Sequence, residues 1–424
     1  MKNTPKGMRL HIGLFGRRNV GKSSVLNALT RQQVSIVSDI PGTTTDPVEK
    51  PMELLPLGPV LFIDTAGIDD LGSLGEMRAE KTRQVFERVD LGVLVTESGE
   101  WSEFEDLILD ELAKRKTPTV VVFNKTDIAK PSIDTEHELK KRSIPVARVS
   151  ANVGLGVAEL REALIRAAPE EFVEIRTILG DLIFPGGIVV MVVPIDFEAP
   201  RGRLVLPQVQ SIRDTLDNDA CALVVKEHGL REVICGLKNP PALIVTDSQV
   251  FRQVAEDTPP EVPLTSFSIL FARIKGDLGE FTEGARAIDA LKTGERVLVL
   301  ESCAHHPIGE DIGRVKIPNW IREYTGRDLE FVHMQGHDFP DDITPYRMVI
   351  HCGACMLNRR EVMSRILRCR EAGVPITNYG IAITYSLGVL DRALSPFGYS
   401  PTIAGRVWNK RVPAGFAKPA GTLF

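Results

Sequence analysis

The 424-residue sequence lacks several features that would each assign a class of protein. It has no uncharged apolar run of about 18 residues, so no membrane-spanning helix and no membrane partner are expected. Its six cysteines are too few for a disulfide framework, which favours free thiols or metal ligands in a reducing compartment. The net charge of −5 gives no indication of a broad basic surface that would bind nucleic acid. No secretory signal precedes the first apolar strand, and a cytoplasmic protein is predicted.

Length and patterning predict an α/β protein of three domains. Up to residue 170, short apolar runs alternate with amphipathic segments, which is typical of a mostly parallel sheet with helices on both faces. Residues 181–262 form a second, small α/β unit with neither a glycine-rich phosphate loop nor clustered titratable groups. A third α/β unit spans residues 263–424. Within it, a helix is predicted over Phe271–Leu291, and strands are predicted over Arg296–Leu300 and Arg347–Ile350.

A phosphate-binding loop follows the first apolar strand, Leu10–Phe15. The residues Gly16 to Ser24 fit the pattern G-x-x-x-x-G-K-[ST] between a strand and a helix. Glycines let backbone N–H groups approach phosphates, the Lys22 ammonium neutralises the β and γ oxygens, and the Ser23 hydroxyl binds Mg²⁺. The predicted nucleotide contacts from this loop are Gly16, Asn19, Val20, Gly21, Lys22, Ser23 and Ser24.

Further segments follow in the order expected of a GTP-binding domain. Asp64 to Gly67 end an apolar strand, where Asp64 would reach Mg²⁺ through water and the Gly67 N–H would sense the γ-phosphate. Asn124-Lys125-Thr126-Asp127 ends the next such strand. The Asp127 carboxylate can accept two hydrogen bonds from guanine, and adenine offers no such pair of donors. Ser150-Ala151 fits the loop behind the base. These segments predict a domain specific for GTP.

Two features of the switch segments bear on the hydrolysis rate. Gly42-Thr43-Thr44-Thr45-Asp46 lies where a threonine should close on magnesium; we assign Thr44, with Thr43 and Thr45 as neighbours able to take the role. The residue after Gly67 is Ile68, which cannot orient a water molecule as glutamine does. Slow intrinsic hydrolysis is therefore expected.

The GTP-binding segments resemble the TrmE–Era branch of the translation-factor-related GTPases. The resemblance rests on Gly16–Ser24, Gly42–Asp46 and Asp64–Gly67. It implies that Asn19 ligates a K⁺ ion that stands in for an arginine finger, and that potassium stimulates hydrolysis. The catalytic residues are then Lys22, Asn19, Thr44 and Gly67.

Cysteines and histidines cluster in the third unit. Cys303-Ala304-His305-His306 follows one predicted strand, and His351-Cys352-Gly353-Ala354-Cys355 follows another. Adjacent parallel strands would bring both segments to one edge of a sheet, where α/β folds place their sites. A structural zinc ion, an iron–sulfur cluster and buried cysteines without a ligand all fit. The pattern favours a metal over none, but it does not separate zinc from iron.

The order C-x-H…H-C-x-x-C, after a TrmE–Era-like domain and a small middle unit, resembles the HydF family of [FeFe]-hydrogenase maturation GTPases. The resemblance implies a [4Fe–4S] cluster on Cys303, Cys352 and Cys355, with a labile fourth position. Candidate fourth ligands are His305, His351 and Glu310. It also implies a homodimer through the middle unit and a scaffold that receives a diiron precursor from radical-SAM maturases and passes it to apo-[FeFe]-hydrogenase.

Two other functions are alternatives to a GTP-controlled cluster scaffold. A ribosome- or RNA-associated GTPase with a structural zinc domain is disfavoured by the negative charge and by the lack of a basic stretch interleaved with aromatics. A stand-alone redox enzyme is disfavoured because both the closely spaced four-cysteine ferredoxin run and the C-x₃-C-x₂-C of radical-SAM enzymes are absent. The scaffold is therefore the leading hypothesis.

Overall fold

A computed structural model describes residues 4–30, 48–54, 57–64, 84–169, 177–194, 204–302 and 311–398. The chain divides into two compact units, residues 1–176 and 177–424. Within the described ranges, no helix is both long enough and apolar enough to cross a membrane.

The first unit is built on a six-stranded sheet in the order β2-β3-β1-β4-β5-β6. Only β2 runs antiparallel to its neighbour. The central strands β1 and β4 are buried along almost their whole length, as their apolar content requires of a sheet covered on both faces. The strands are β1 Leu10–Phe15, β2 Val48–Leu54, β3 Gly58–Asp64, β4 Leu91–Glu97, β5 Thr119–Asn124 and β6 Val146–Arg148.

Helices of this unit cover both faces of the sheet, and one of them, α2, begins with a side-chain cap. Ser102 begins α2 with a capping box, in which its side chain accepts from the Phe104 N–H and the Glu105 carboxylate accepts from the Ser102 N–H. The helices are α1 Lys22–Thr30, α2 Glu103–Lys114, α3 Ile133–Lys141 and α4 Val157–Ala167, with residues 84–88 also helical and a 3₁₀ turn at Lys6–Met8.

The second unit contains two four-stranded parallel sheets, in the orders β10-β9-β7-β8 and β12-β11-β13-β14. One cluster of buried side chains includes members of both sheets, for example Ile244 and Val349. The strands are β7 Ile188–Val192, β8 Cys221–Val225, β9 Leu243–Thr246, β10 Leu264–Ser266, β11 Arg296–Glu301, β12 Glu330–Gln335, β13 Met348–His351 and β14 Ile376–Asn378. The predicted α/β class is confirmed.

Most helices of the second unit connect these parallel strands, and the last two follow the final strand. They are α5 Leu206–Asp217, α6 Leu230–Gly236, α7 Phe251–Asp257, α8 Phe267–Lys275, α9 Leu278–Ala285, α10 Ile317–Thr325, α11 Arg359–Glu371, α12 Tyr379–Ser386 and α13 Leu390–Leu394. A π-helical turn occupies Ile312–Lys316, and 3₁₀ turns occupy Gly180–Leu182, Glu227–Gly229, Ser248–Val250, Arg286–Ala290 and Ser395–Phe397.

The single helix predicted over Phe271–Leu291 is wrong. The chain instead forms α8, α9 and a 3₁₀ turn, and the break lies at Gly276-Asp277. The Asp277 side chain accepts a hydrogen bond of 3.1 Å from the Glu280 N–H and so begins a new helix.

The predicted domain boundary at residues 262/263 stays a prediction. The strand that follows it, Leu264–Ser266, is hydrogen-bonded to Leu243–Thr246 and so belongs to the sheet of the middle unit. Three residues are too few for an alternating pattern to reveal such a strand.

Candidate nucleotide and cysteine sites

The phosphate loop connects the carboxyl end of β1 to the first turn of α1. Gly16 has φ 135°, and a Cβ atom there would lie 2.1 Å from the Val95 carbonyl oxygen. Gly21 has φ 94°, and a Cβ atom there would lie 2.3 Å from the Asn124 amide nitrogen. Both positions therefore require glycine for backbone conformation and for space.

The phosphate-loop lysine lies folded over its own loop. Lys22 is 9% exposed, and its ammonium donates to the carbonyls of Gly16 and of Arg17, the latter at 2.8 Å. Asn19 is exposed and adopts a left-handed φ of 66°, a conformation that asparagine tolerates better than most residues. Val20 is buried beneath the loop, while Ser23 and Ser24 are half-buried in the first turn of α1.

The guanine-side residues are connected to the phosphate loop by Asn124. Its amide nitrogen donates to the Val20 carbonyl at 2.8 Å, and its amide oxygen accepts from the Ala151 N–H at 3.1 Å. Asn124 is 3% exposed, so both contacts are shielded from water. One side chain thus fixes the spacing between the phosphate loop and the loop behind the base.

The predicted base-reading carboxylate is itself held in place. The Ser150 hydroxyl donates to Oδ1 of Asp127 at 2.6 Å. Lys125, with a positive φ of 58°, forms an ion pair of 2.8 Å with Glu97. The structure therefore brings Asn124, Lys125, Asp127, Ser150 and Ala151 together at the carboxyl end of β5, as the sequence predicts.

On the magnesium side, Asp64 is 5% exposed at the end of β3 and pairs in register with Leu14 of β1. It therefore lies beside the strand that leads into the phosphate loop. Several other predicted site residues lie outside the described residues, and their roles stay predictions: Thr43, Thr44, Thr45, Gly67, Ile68, Cys303, His305 and Glu310.

One contact of the phosphate loop was not predicted. Arg17 forms an ion pair of 2.9 Å with Glu105, whose side chain is 1% exposed. The Arg17 guanidinium also lies 5.2 Å from the centre of the Phe104 ring. Arg17 occupies a variable position of the motif, so the sequence gives no signal that it pairs with Glu105. The contact anchors the loop to the start of α2.

The cysteine segments follow two adjacent parallel strands, as predicted. β11 pairs with β13, with Leu300 opposite His351. From β11 the chain continues to β12 on one side of the sheet, and from β13 it continues to β14 on the other side. In parallel α/β sheets, such a reversal of strand order opens a crevice at the carboxyl ends of the strands.

Ser302 brings the end of β11 onto the first sulfur. Its backbone N–H lies 3.2 Å from Sγ of Cys352, and its hydroxyl oxygen lies 3.1 Å from the same sulfur. Burial raises the pKa of the Cys352 thiol, while its hydrogen bonds with Ser302 and with the Ala354 backbone oppose that change.

The loop between Cys352 and Cys355 turns sharply. Ala354 has a left-handed φ of 53°, and Leu357 closes a turn onto its carbonyl at 3.1 Å. Cys352 is buried, whereas Cys355 is half-buried. Among the described residues no group of three or more His, Cys, Asp or Glu side chains forms a metal site; the predicted site would need Cys303 as well.

His351, a candidate ligand, is completely buried and has a hydrogen bond at each ring nitrogen. Nδ1 lies 2.8 Å from the Cys352 carbonyl oxygen, and Nε2 lies 3.0 Å from a guanidinium nitrogen of Arg365. Burial and the adjacent Arg365 charge lower the pKa of His351 to about 3. Because a carbonyl can only accept, Nδ1 carries the proton and Nε2 accepts from Arg365.

Three domain families match successive parts of the chain. Residues 11–125 match the 50S ribosome-binding GTPase family. That match, together with the phosphate-loop geometry, defines the class of protein as a P-loop GTPase. Residues 178–276 match the hydrogen maturase F dimerization domain, and residues 279–396 match the hydrogen maturase F tetramerization domain. The chain belongs to the hydrogen maturase F (HydF) family.

Individual relatives match shorter parts of the chain. The tRNA modification GTPase MnmE of Heliobacterium modesticaldum is 40% identical over 159 residues, which is 36% of this chain and 33% of that protein. GTPase Der of Wolinella succinogenes is 34% identical over 167 residues, 37% of this chain and 35% of that protein. The chain thus spans about a third of the length of these curated relatives. The G domain of the T. maritima FeoB iron transporter is 29% identical, covering 38% of this chain and 98% of that chain with a TM-score of 0.31.

Proposed function

We propose that this chain is a GTP-hydrolysing scaffold that holds a [4Fe–4S] cluster and the diiron precursor of the hydrogenase active site, and delivers that precursor to apo-[FeFe]-hydrogenase. Radical-SAM maturases would supply the precursor. The observation that carries the proposal is the contact between Ser302 and the Cys352 sulfur at a switch point of the sheet, in a chain of the HydF family.

The described donors suit the proposed cluster. Thiolates are the usual ligands of iron–sulfur clusters, and hydrogen bonds to the sulfurs help to set the reduction potential of the cluster. Sγ of Cys352 already accepts such a bond from the Ser302 N–H and lies within hydrogen-bonding distance of the Ser302 hydroxyl, and Cys355 lies on the same loop. Cys303 is the proposed third thiolate, with His305, His351 and Glu310 as candidate fourth ligands. When bound, a cluster with one exchangeable position offers an iron to which a further group can attach.

The first unit is proposed to bind and hydrolyse GTP with Mg²⁺ and K⁺. Lys22 would leave the carbonyls of Gly16 and Arg17 and turn to the phosphates, because an anion is the stronger acceptor for an ammonium. Asp64 and Ser23 would hold Mg²⁺, Asn19 would hold K⁺, and Asp127 would read guanine. Hydrolysis would be slow, and it would time the exchange of cargo.

The middle unit is proposed to form the homodimer through β8. This strand is the outer edge of its sheet, and the side chains of Leu223 and Val224 are 37% and 44% exposed. The strand contains no charge and no proline, which are the usual protections of a free edge. A second copy of this chain is the occupant that the match to the dimerization domain supports.

Anaerobic reconstitution with ferrous iron and sulfide tests the proposal. We expect about four irons and four sulfides per chain, as a [4Fe–4S] cluster requires. The variant Cys352→Ser should lose most of this iron, and Cys235→Ser, an exposed cysteine elsewhere in the same unit, should keep it. Tight stoichiometric zinc in protein produced with ample iron would overturn the cluster and favour a GTPase with a structural zinc domain.

A transfer assay tests the proposed delivery. Scaffold produced together with the radical-SAM maturases should activate apo-[FeFe]-hydrogenase, and scaffold produced without them should not. Because Cys352→Ser should fail in this assay while Cys235→Ser succeeds, activation by both variants alike would contradict a role for the cysteine site.

A further inference from the structure

A buried chain of polar side chains leads from the surface to the cysteine loop. His337 contacts both carboxylate oxygens of Glu361 at 3.0 Å, and Glu361 accepts from Arg365 at 2.9 Å. Arg365 then donates to His351, which donates to the Cys352 carbonyl. Arg365 is 2% exposed and Glu361 is 4% exposed, so the inner links are shielded from water.

Stability alone does not account for this arrangement. Burying an ion pair costs desolvation, and apolar residues of the same volume are often as stable or more so. The Arg365–Glu361 pair also leaves donors of the guanidinium unused by the carboxylate. They go to the Gly336 carbonyl at 3.2 Å and to Nε2 of His351. The network therefore fixes the position of the His351 ring, and that ring in turn fixes the position of the Cys352 carbonyl.

We infer that Arg365 is a positioning residue for the cysteine loop, which acts through His351 to fix the Cys352 carbonyl and hence the position of the Cys352 sulfur. The carbonyl and the sulfur belong to one residue, and the sulfur is also held from the other side by Ser302. Movement of the imidazole would release one of these two constraints. The inference rests on the proposed cluster site.

The same contacts remove His351 from the set of fourth ligands. A histidine binds a metal through an unprotonated ring nitrogen. In His351 the Nδ1 proton is directed to the Cys352 carbonyl, and the Nε2 lone pair is directed to Arg365. His305 and Glu310 remain as the candidates.

Matched variants on one helix separate positioning from general stabilisation. Arg365 and Arg368 both lie on α11, and both guanidiniums lie over the Phe339 ring, at 5.7 and 4.5 Å. Arg368 donates to the Pro340 carbonyl. Arg368→Met is therefore the control for Arg365→Met. If Arg365→Met does not fold, Arg365→Lys replaces it in the test. Lysine keeps a positive charge opposite Glu361 but lacks the planar guanidinium that donates to Glu361 and His351 at once.

Hydrogen exchange of the metal-free chain is the first measurement. Exchange of residues 351–357 should accelerate about 10-fold in the Arg365 variant and in His351→Gln, the effect of losing one buried hydrogen bond on local opening, and it should remain unchanged in Arg368→Met. The double variant should exchange no faster than either single variant, because both remove the same constraint. Unchanged exchange in a folded Arg365 variant would overturn the inference.

The reconstituted protein supplies the second measurement. The Arg365 and His351 variants should lose iron to a chelator about 10-fold faster and share an altered electron paramagnetic resonance spectrum after reduction. A merely destabilising change would leave that spectrum as it is in Arg368→Met, and such a result would count against positioning. If the wild-type chain takes up no iron, the proposed function fails, and the exchange data still decide the inference.

Discussion

The hydroxyl of Ser150 donates a hydrogen bond of 2.6 Å to the Asp127 carboxylate, across the loops that surround the proposed guanine pocket. The bond occupies one lone pair of Oδ1 and fixes the plane of the carboxylate. Asp127 is therefore pre-set to accept from two donors in one plane, as guanine presents them.

Asp127→Asn should change the base that the site accepts. The amide offers one acceptor and one donor, so GTP binding should weaken at least ~100-fold while xanthosine triphosphate, which carries a carbonyl in place of the amine, should gain affinity. Titration calorimetry with both nucleotides would measure the change. Asp134→Asn, an exposed carboxylate in the first turn of α3, is the control. Equal losses for both nucleotides would mean that Asp127 serves the fold and not the base.

The arrangement of the phosphate loop and of the loops after β5 and β6 could be predicted because their residues are consecutive in short motifs, while their contacts with a nucleotide stay predictions. Position in a strand–loop–helix unit then fixes their geometry, as at Gly16 and Gly21. The approach of the two cysteine segments was also predictable, since each follows an apolar strand and parallel strands share one edge for their carboxyl ends.

The residues that support these sites could not be predicted. An arginine on a helix is normally exposed, and the burial of Arg365 depends on partners that only the tertiary structure provides. Likewise, the end of α8 could not be recognised in the sequence, because apolar residues continue at helical spacing across Gly276. The cap at Asp277 is what separates α8 from the next helix. Local patterns report periodicity, whereas these features depend on particular contacts.

Gly284→Ala should destabilise the third sheet. A Cβ atom at Gly284 of α9 would lie 1.9 Å from the Ile376 carbonyl oxygen, so the helix and β14 would have to separate. We expect a loss of about 2 kcal/mol, typical of overpacking. Gly236→Ala is the control, because the same helical substitution there meets nothing within 4 Å. Hydrogen exchange of α9 and β14 measures the local free energy of opening. Equal protection in the two variants would contradict the close approach.

Val224→Lys should weaken the proposed dimer. A charge on the outer strand of the sheet would have to be buried, and lysine is the residue that most often blocks pairing at a free edge. We expect the mass of the assembly in sedimentation velocity to fall to half. Leu107→Lys, which alters an apolar residue that is 56% exposed on α2, should leave the mass unchanged. An unchanged mass for Val224→Lys would move the interface away from β8.

Two substitutions at Asn19 should separate its backbone role from its proposed role as a K⁺ ligand. The left-handed φ of 66° means that Asn19→Ala changes the loop conformation as well as removing the side-chain oxygen. Asn19→Gly keeps the conformation and removes only the oxygen. We expect GTP hydrolysis by the unaltered chain to be faster in KCl than in NaCl at equal ionic strength.

Both Asn19 variants should lose that difference, with a fall in the KCl rate of about 100-fold, the size expected for one lost contact to transition-state charge. If Asn19→Gly retained the potassium effect while Asn19→Ala lost it, the residue would act through loop conformation alone. The K⁺ ion would then need another ligand. Because glycine leaves the backbone free to adopt the same φ, a shared loss points directly to the side-chain oxygen.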